Sequence, residues 1–80
     1  MDITVYGKTT CADTIATRET LEQLGQSYTW VDLEAEPARW DEALAANGGV
    51  QRVPTVMFGD GGAALVEPTA AELRERLAAS

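Results

Sequence analysis

Tyr6-Gly7-Lys8-Thr9-Thr10-Cys11-Ala12-Asp13-Thr14 carries the chain from a β-like run, Ile3-Thr4-Val5-Tyr6, into an amphipathic helical pattern. The one cysteine of the sequence therefore stands where a strand ends and a helix begins. The first N–H groups of a helix lack intrahelical acceptors, and together with the positive end of the helix dipole they favour an anion. A thiolate is such an anion, and Lys8, three residues upstream, adds a full positive charge. Cys11 in this setting is a candidate nucleophile, whereas a cysteine at an arbitrary position is more often a small buried hydrophobe.

Working outward, residues 14–24 read as the helix, with Thr17, Thr20, Leu21 and Leu24 spaced i, i+3, i+4 and i+7 as its inner face. Gly25 is placed to end it. Ile15 falls off that face and is expected to be exposed near the thiol. Residues 28–33 read as a second strand, with Tyr28 and Trp30 on one side and Val31 and Leu33 on the other. Apolar residues on both faces indicate a sheet covered on both sides. Pro37 suits the first residue of a second helix, whose stripe is Trp40, Ala43, Leu44 and Asn47 and whose end is Asn47-Gly48-Gly49. Trp30 and Trp40 read as core or edge-covering residues.

Residues 55–58 form a third strand. Gly59-Asp60-Gly61-Gly62 reads as a hairpin turn of type I′, and residues 63–66 return as a fourth strand. That glycine-rich turn lacks the Gly-Lys-Ser/Thr ending of a phosphate loop. Thr69-Ala70-Ala71-Glu72 is a capping box opening a last helix to residue 79, with Leu73 and Leu77 inward and Glu72 and Arg76 paired outside. The order β-α-β-α-β-β-α describes one α/β domain over residues 1–80.

Composition narrows the function. A chain of 80 residues buries only about 60% of its unfolded surface, so its stability is modest. With one cysteine, any disulfide must be made with another molecule. The absence of histidine removes imidazole acid–base chemistry and most zinc sites, and no metal site is expected. A net charge of −7 argues against nucleic acid as a partner. No apolar run is long enough to span a membrane, and no signal peptide is visible, which points to the cytoplasm. Two of the six basic residues, Lys8 and Arg52, stand beside the motifs singled out here, an arrangement suited to a small anionic ligand.

The second motif is Arg52-Val53-Pro54-Thr55, directly before the third strand. Proline cannot donate to a sheet ladder and belongs at a strand's first residue. A trans strand-entry proline and a cis Val53–Pro54 bond both fit the sequence. A cis bend would turn the main chain of Val53 toward the Cys11 loop, where it could pair with an extended ligand.

Four pieces in order resemble a glutaredoxin, and most closely the short mycoredoxin-like and glutaredoxin-like proteins of actinobacteria. They are Val5-Tyr6 leading to Lys8 and Cys11; Val31-Asp32; Arg52-Val53-Pro54-Thr55; and Gly59-Asp60-Gly61 running on to Pro68-Thr69-Ala70 and Glu72. The resemblance implies a thioredoxin-like fold with a four-stranded mixed sheet flanked by three helices. It implies that Cys11 is the nucleophile, that Pro54 is cis, and that the Val53 main chain holds a thiol ligand. It further implies that Lys8, Arg52, Pro68 and Thr69 help bind a small thiol's charged or polar groups. The site departs from Cys-Pro-Tyr-Cys. Thr14 stands where a resolving cysteine would be, closing the dithiol cycle, and is expected to donate a hydrogen bond to the thiolate. Asp13 replaces an aromatic residue, and its charge opposes a thiolate.

The function expected from this resemblance is monothiol reduction of mixed disulfides between proteins and a small thiol through Cys11. The partners are then the small thiol and S-thiolated client proteins, and the protein acts as a monomer. Arginine and alanine outnumber lysine, as in a GC-rich genome, which puts mycothiol first and glutathione second as co-substrate, with no tightly bound cofactor. Two other readings stand beside it: a redox-inactive binding module of the same fold, and an iron–sulfur cluster carrier using Cys11 and an external thiol.

Overall fold

The computed structural model describes residues 1–79; Ser80, the last residue of the expected domain, lies outside the described residues. The elements are β1 (Ile3–Gly7), α1 (Ala12–Gln23), β2 (Thr29–Asp32), a 3₁₀ turn (Pro37–Arg39) running into α2 (Trp40–Asn47), β3 (Thr55–Phe58), β4 (Leu65–Val66) and α3 (Ala70–Ala78). They form one four-stranded sheet in the order β2-β1-β3-β4. β1 and β2 are parallel, and the other two pairings are antiparallel.

Alternation along β1 and β2 splits the core in two. Ile3 and Val5, with Val56 and Phe58 of β3, pack under Leu21 of α1 and Leu73 of α3, and Tyr28 and Trp30 close that side. Tyr6, Val31 and Leu33 pack on the opposite face under Ala43 of α2, with Trp40, Val53 and Met57 around them. Apolar residues on both sides of the strands are thus matched by helices on both sides. Among the described residues, no helix is long and apolar enough to cross a membrane.

Three local expectations are corrected. The first helix begins at Ala12, two residues early, so its buried stripe is Thr14, Thr17 and Leu21. Leu24 falls at the helix end and is 37% exposed. The β3–β4 connection is not a type I′ turn. That geometry needs positive φ at both central residues, whereas Gly61 has φ 84° and Asp60 is not in the positive-φ region. β4 accordingly shortens to two residues. The expected Glu72–Arg76 pair is replaced as well. Arg76 reaches back to Asp60 with Nη1–Oδ2 2.9 Å and Nη2–Oδ1 2.5 Å, and its guanidinium lies 4.3 Å from the Phe58 ring centroid. A bidentate partner and an aromatic face outcompete one exposed carboxylate a turn away.

Candidate active site

Strand register brings the two motifs together. Tyr6 pairs with Thr55, and Thr55 pairs with Val66 on its other side. One step further along each chain, Gly7, Pro54 and Glu67 therefore lie at the same end of the sheet. The Cys11 loop, the Val53–Pro54 segment and the approach to α3 all emerge there. This is the C-terminal end of β1, where α/β sheets place ligands.

Cys11 is the N-cap of α1, with extended backbone (φ −83°, ψ 121°), and it is partly exposed. Its N–H donates to Lys8 O at 3.1 Å, and its carbonyl accepts Ile15 N–H at 3.0 Å. Its side chain makes no capping bond. Cys11 thus stands at the positive end of α1, where negative charge on its side chain is favoured. Ile15, 44% exposed, is the apolar neighbour on the solvent side.

The sheet side of the Cys11 loop is closed by Thr14. It is fully buried, and its Oγ1 accepts the Lys8 N–H at 3.4 Å. Its side chain fills the space over Gly7, where a Cβ would come 2.5 Å from Thr14 Cγ2. Position 14 falls on the same stripe of α1 as buried Thr17 and Leu21, so Thr14 braces the Cys11 loop from beneath. Lys8 holds its ammonium 6.0 Å from the centroid of the Trp40 ring, on the α2 side. Tyr6, on the same face, donates to Glu42 Oε1 at 3.4 Å, and burial, with that carboxylate, pushes its phenol up.

The Val53–Pro54 peptide is cis. Pro54 is buried, and its carbonyl accepts Glu67 N–H at 2.8 Å. Glu67 adopts φ 49°, a left-handed conformation uncommon for a side-chain-bearing residue. Arg52 is exposed and stands 3.8 Å from Glu67 Oε2. Pro68 and Thr69 lead into α3, where the capping box forms as read from the sequence. The Thr69 hydroxyl accepts Glu72 N–H at 3.1 Å, and Glu72 Oε1 accepts Thr69 N–H at 2.9 Å. Thr69 thereby fixes the first turn of α3.

Sequence reasoning missed what fixes the Arg52–Pro54 segment. Asn47 ends α2, and its Nδ2 donates to Val50 O at 2.6 Å and to Thr55 Oγ1 at 2.9 Å. Its Oδ1 accepts the N–H groups of Gly49 and Val50 at 3.1 and 2.8 Å. Buried Thr55 then donates to Arg52 O at 3.1 Å. The Asn-Gly-Gly run announced a helix stop, but nothing local announced that this side chain would satisfy three groups of the following loop and the Thr55 hydroxyl of β3.

The glutaredoxin family profile matches residues 3–62. A candidate glutaredoxin of Mycobacterium tuberculosis, found in two strains, is 32% identical over 75 residues, covering 94% of this chain and 88% of its own. The fold superposes on NrdH-redoxin of Escherichia coli, a glutaredoxin-like protein with a thioredoxin-like activity profile. That match has a TM-score of 0.77 and 27% identity, and covers 96% of this chain and 95% of the other. Reduced glutaredoxin C1 from Populus tremula x tremuloides matches with a TM-score of 0.67 and 26% identity, over 96% and 64% of the two chains. The architecture is the thioredoxin-like fold, a four-stranded mixed sheet with three helices. Profile, near-full-length relative and fold agree: the chain belongs to the glutaredoxin family of thiol–disulfide oxidoreductases.

Proposed function

We propose that the protein is a monothiol oxidoreductase that removes a small thiol from S-thiolated client proteins. The observation that carries this reading is the position of Cys11. It is the only sulfur nucleophile of the chain, partly exposed at the start of α1 and at the sheet end where the Val53–Pro54 segment emerges.

The Cys11 thiolate attacks the small-thiol sulfur of a client–S–S–R disulfide. The Cys11–S–S–R bond forms as the client's S–S bond breaks, and the client sulfur leaves as a thiolate and takes a proton from water. A second R–S⁻ then attacks the R sulfur on Cys11, giving R–S–S–R and returning the Cys11 thiolate. The client gains the electron pair, and two molecules of small thiol end as their disulfide. Val53's main chain, with Arg52, Pro68 and Thr69 around it, forms the surface for the thiol, which is mycothiol or glutathione. The protein acts as a cytoplasmic monomer, with neither nucleic acid nor membrane as partner.

The test is release of the small thiol from a model protein carrying a mycothiol or glutathione mixed disulfide. Wild type should turn over, and Cys11→Ser should not. After incubation with the small-thiol disulfide, intact mass should show one adduct, on Cys11. Equal rates for the two proteins would overturn the assignment and favour the redox-inactive module. An iron–sulfur carrier would instead be coloured after anaerobic reconstitution.

A further inference from the structure

A groove of about 280 Å³ runs beside the site between α1 and the start of α3. It begins at Asp13, two residues beyond Cys11, and at Glu67, whose N–H is bonded to Pro54. Thr17, Thr69 and Leu73 line it further in. Its volume suits part of a small molecule rather than a protein segment.

Its charge is the informative feature. Among the described residues, the two ionisable ones lining the groove, Asp13 and Glu67, are acids. The basic residues near the site do little to offset them. Lys8 directs its ammonium to Trp40 across the sheet, and Arg52 meets Glu67 only loosely, at 3.8 Å with both side chains solvated. The start of α3 would ordinarily attract an anion. Here Glu72 has brought its own carboxylate there and taken the Thr69 N–H. Deeper in the groove, Thr17 is 2% exposed, and its Oγ1 lacks a hydrogen-bond partner among the described residues. A ligand carboxylate in this groove would face two negative charges and a helix end already capped by a third. A neutral hydroxyl-bearing group would face carboxylate acceptors.

We infer that this groove makes Asp13 and Glu67 specificity-determining residues, selecting a small thiol whose non-sulfur part is uncharged and hydroxyl-rich over one bearing free carboxylates. The selection rests on Cys11 being the group that takes up the small thiol. It also departs from the small anionic ligand that Lys8 and Arg52 suggest in the sequence alone.

The experiment compares two adducts on one model protein: the glutathione mixed disulfide, whose small-thiol part carries net charge −1, and the glutathione diethyl ester mixed disulfide, which carries +1. The wild-type kcat/KM should be about tenfold higher for the ester, the scale of moving unit charges against carboxylates at a protein surface. Raising salt should shrink that preference, because screening weakens it. Asp13→Asn/Glu67→Gln should bring the ratio near one. Asp41→Asn, on α2 across the sheet, changes net charge alone and should keep the wild-type ratio. Equal rates for the two adducts in wild type, or a ratio that survives the double variant, would overturn the selection while leaving Cys11 chemistry intact. Failure to release either adduct faster than Cys11→Ser would instead remove the reading on which the selection rests.

Discussion

Gly7→Ala tests whether the reactive loop is held by close packing beneath it. Gly7 is buried in β1, pairs with Asp32 of β2, and accepts the Leu33 N–H at 2.9 Å, so its backbone cannot move away. A Cβ there would lie 2.5 Å from Thr14 Cγ2, 2.7 Å from Thr14 Oγ1 and 3.2 Å from Thr14 Cβ. All three atoms belong to a fully buried residue on the first turn of α1. Either Thr14 leaves its rotamer and its bond to Lys8, or the whole first turn, with Cys11, shifts outward. Overpacking of this kind costs about 1–3 kcal/mol. Gly7 lies outside the positive-φ region, so alanine also narrows the unfolded ensemble and returns about 0.4–1 kcal/mol. The net expectation is a loss of about 1–2 kcal/mol, read as a fall of about 1–2 M in urea midpoint for a small domain.

Thr14→Ala removes both close atoms, so Gly7→Ala should cost almost nothing in that background. The double-mutant cycle should therefore show coupling of about 1–2 kcal/mol. Cys11 alkylation by iodoacetamide should change in Gly7→Ala and return in the double variant to the rate of Thr14→Ala alone. Wild-type stability for Gly7→Ala, or strict additivity in the double variant, would refute the reasoning.

Thr17→Val replaces a buried hydroxyl that has no partner among the described residues with a methyl group of similar shape. It should stabilise the protein by about 1 kcal/mol and raise Tm by about 4–8 °C, since an unmet hydroxyl carries its desolvation cost and valine and threonine have similar helix propensity. A lower Tm by calorimetry would show the hydroxyl to be satisfied in solution. The Arg76 guanidinium holds the Asp60 carboxyl down at about 2. A depressed folded value means that the pair stabilises the protein above the unfolded value near 4 and loses that contribution as pH falls from about 4 to about 2. The difference in urea midpoint between wild type and Asp60→Asn should accordingly be present at pH 7 and close toward pH 2. A difference unchanged by acid would reject the pairing.

Much of the order was legible because it rests on local chemistry. The capping box at Thr69–Glu72 formed as read, because its partners lie three residues apart and need nothing from the rest of the chain. The facing of Tyr28 and Trp30 against Val31 and Leu33 followed from strand alternation. Misreadings arose where a distant group took over. Arg76 left its neighbour Glu72 for Asp60 and the Phe58 ring. Thr14 turned inward because it lies three and seven residues before Thr17 and Leu21, on the stripe of α1 that faces the sheet.

By itself, then, the sequence determined a single reactive sulfur at a strand-to-helix junction, a proline at the entry to the third strand, and the alternation of elements around them. Those features depend on residue type and short spacings, which the chain carries wherever it goes. Only the tertiary structure decided that Pro54, Glu67 and the Cys11 loop share one end of the sheet, because strand register is set between segments far apart in the chain. It also decided the charge of the groove: Lys8 is drawn to Trp40 and Glu72 to the start of α3, which leaves Asp13 and Glu67 as its charged residues.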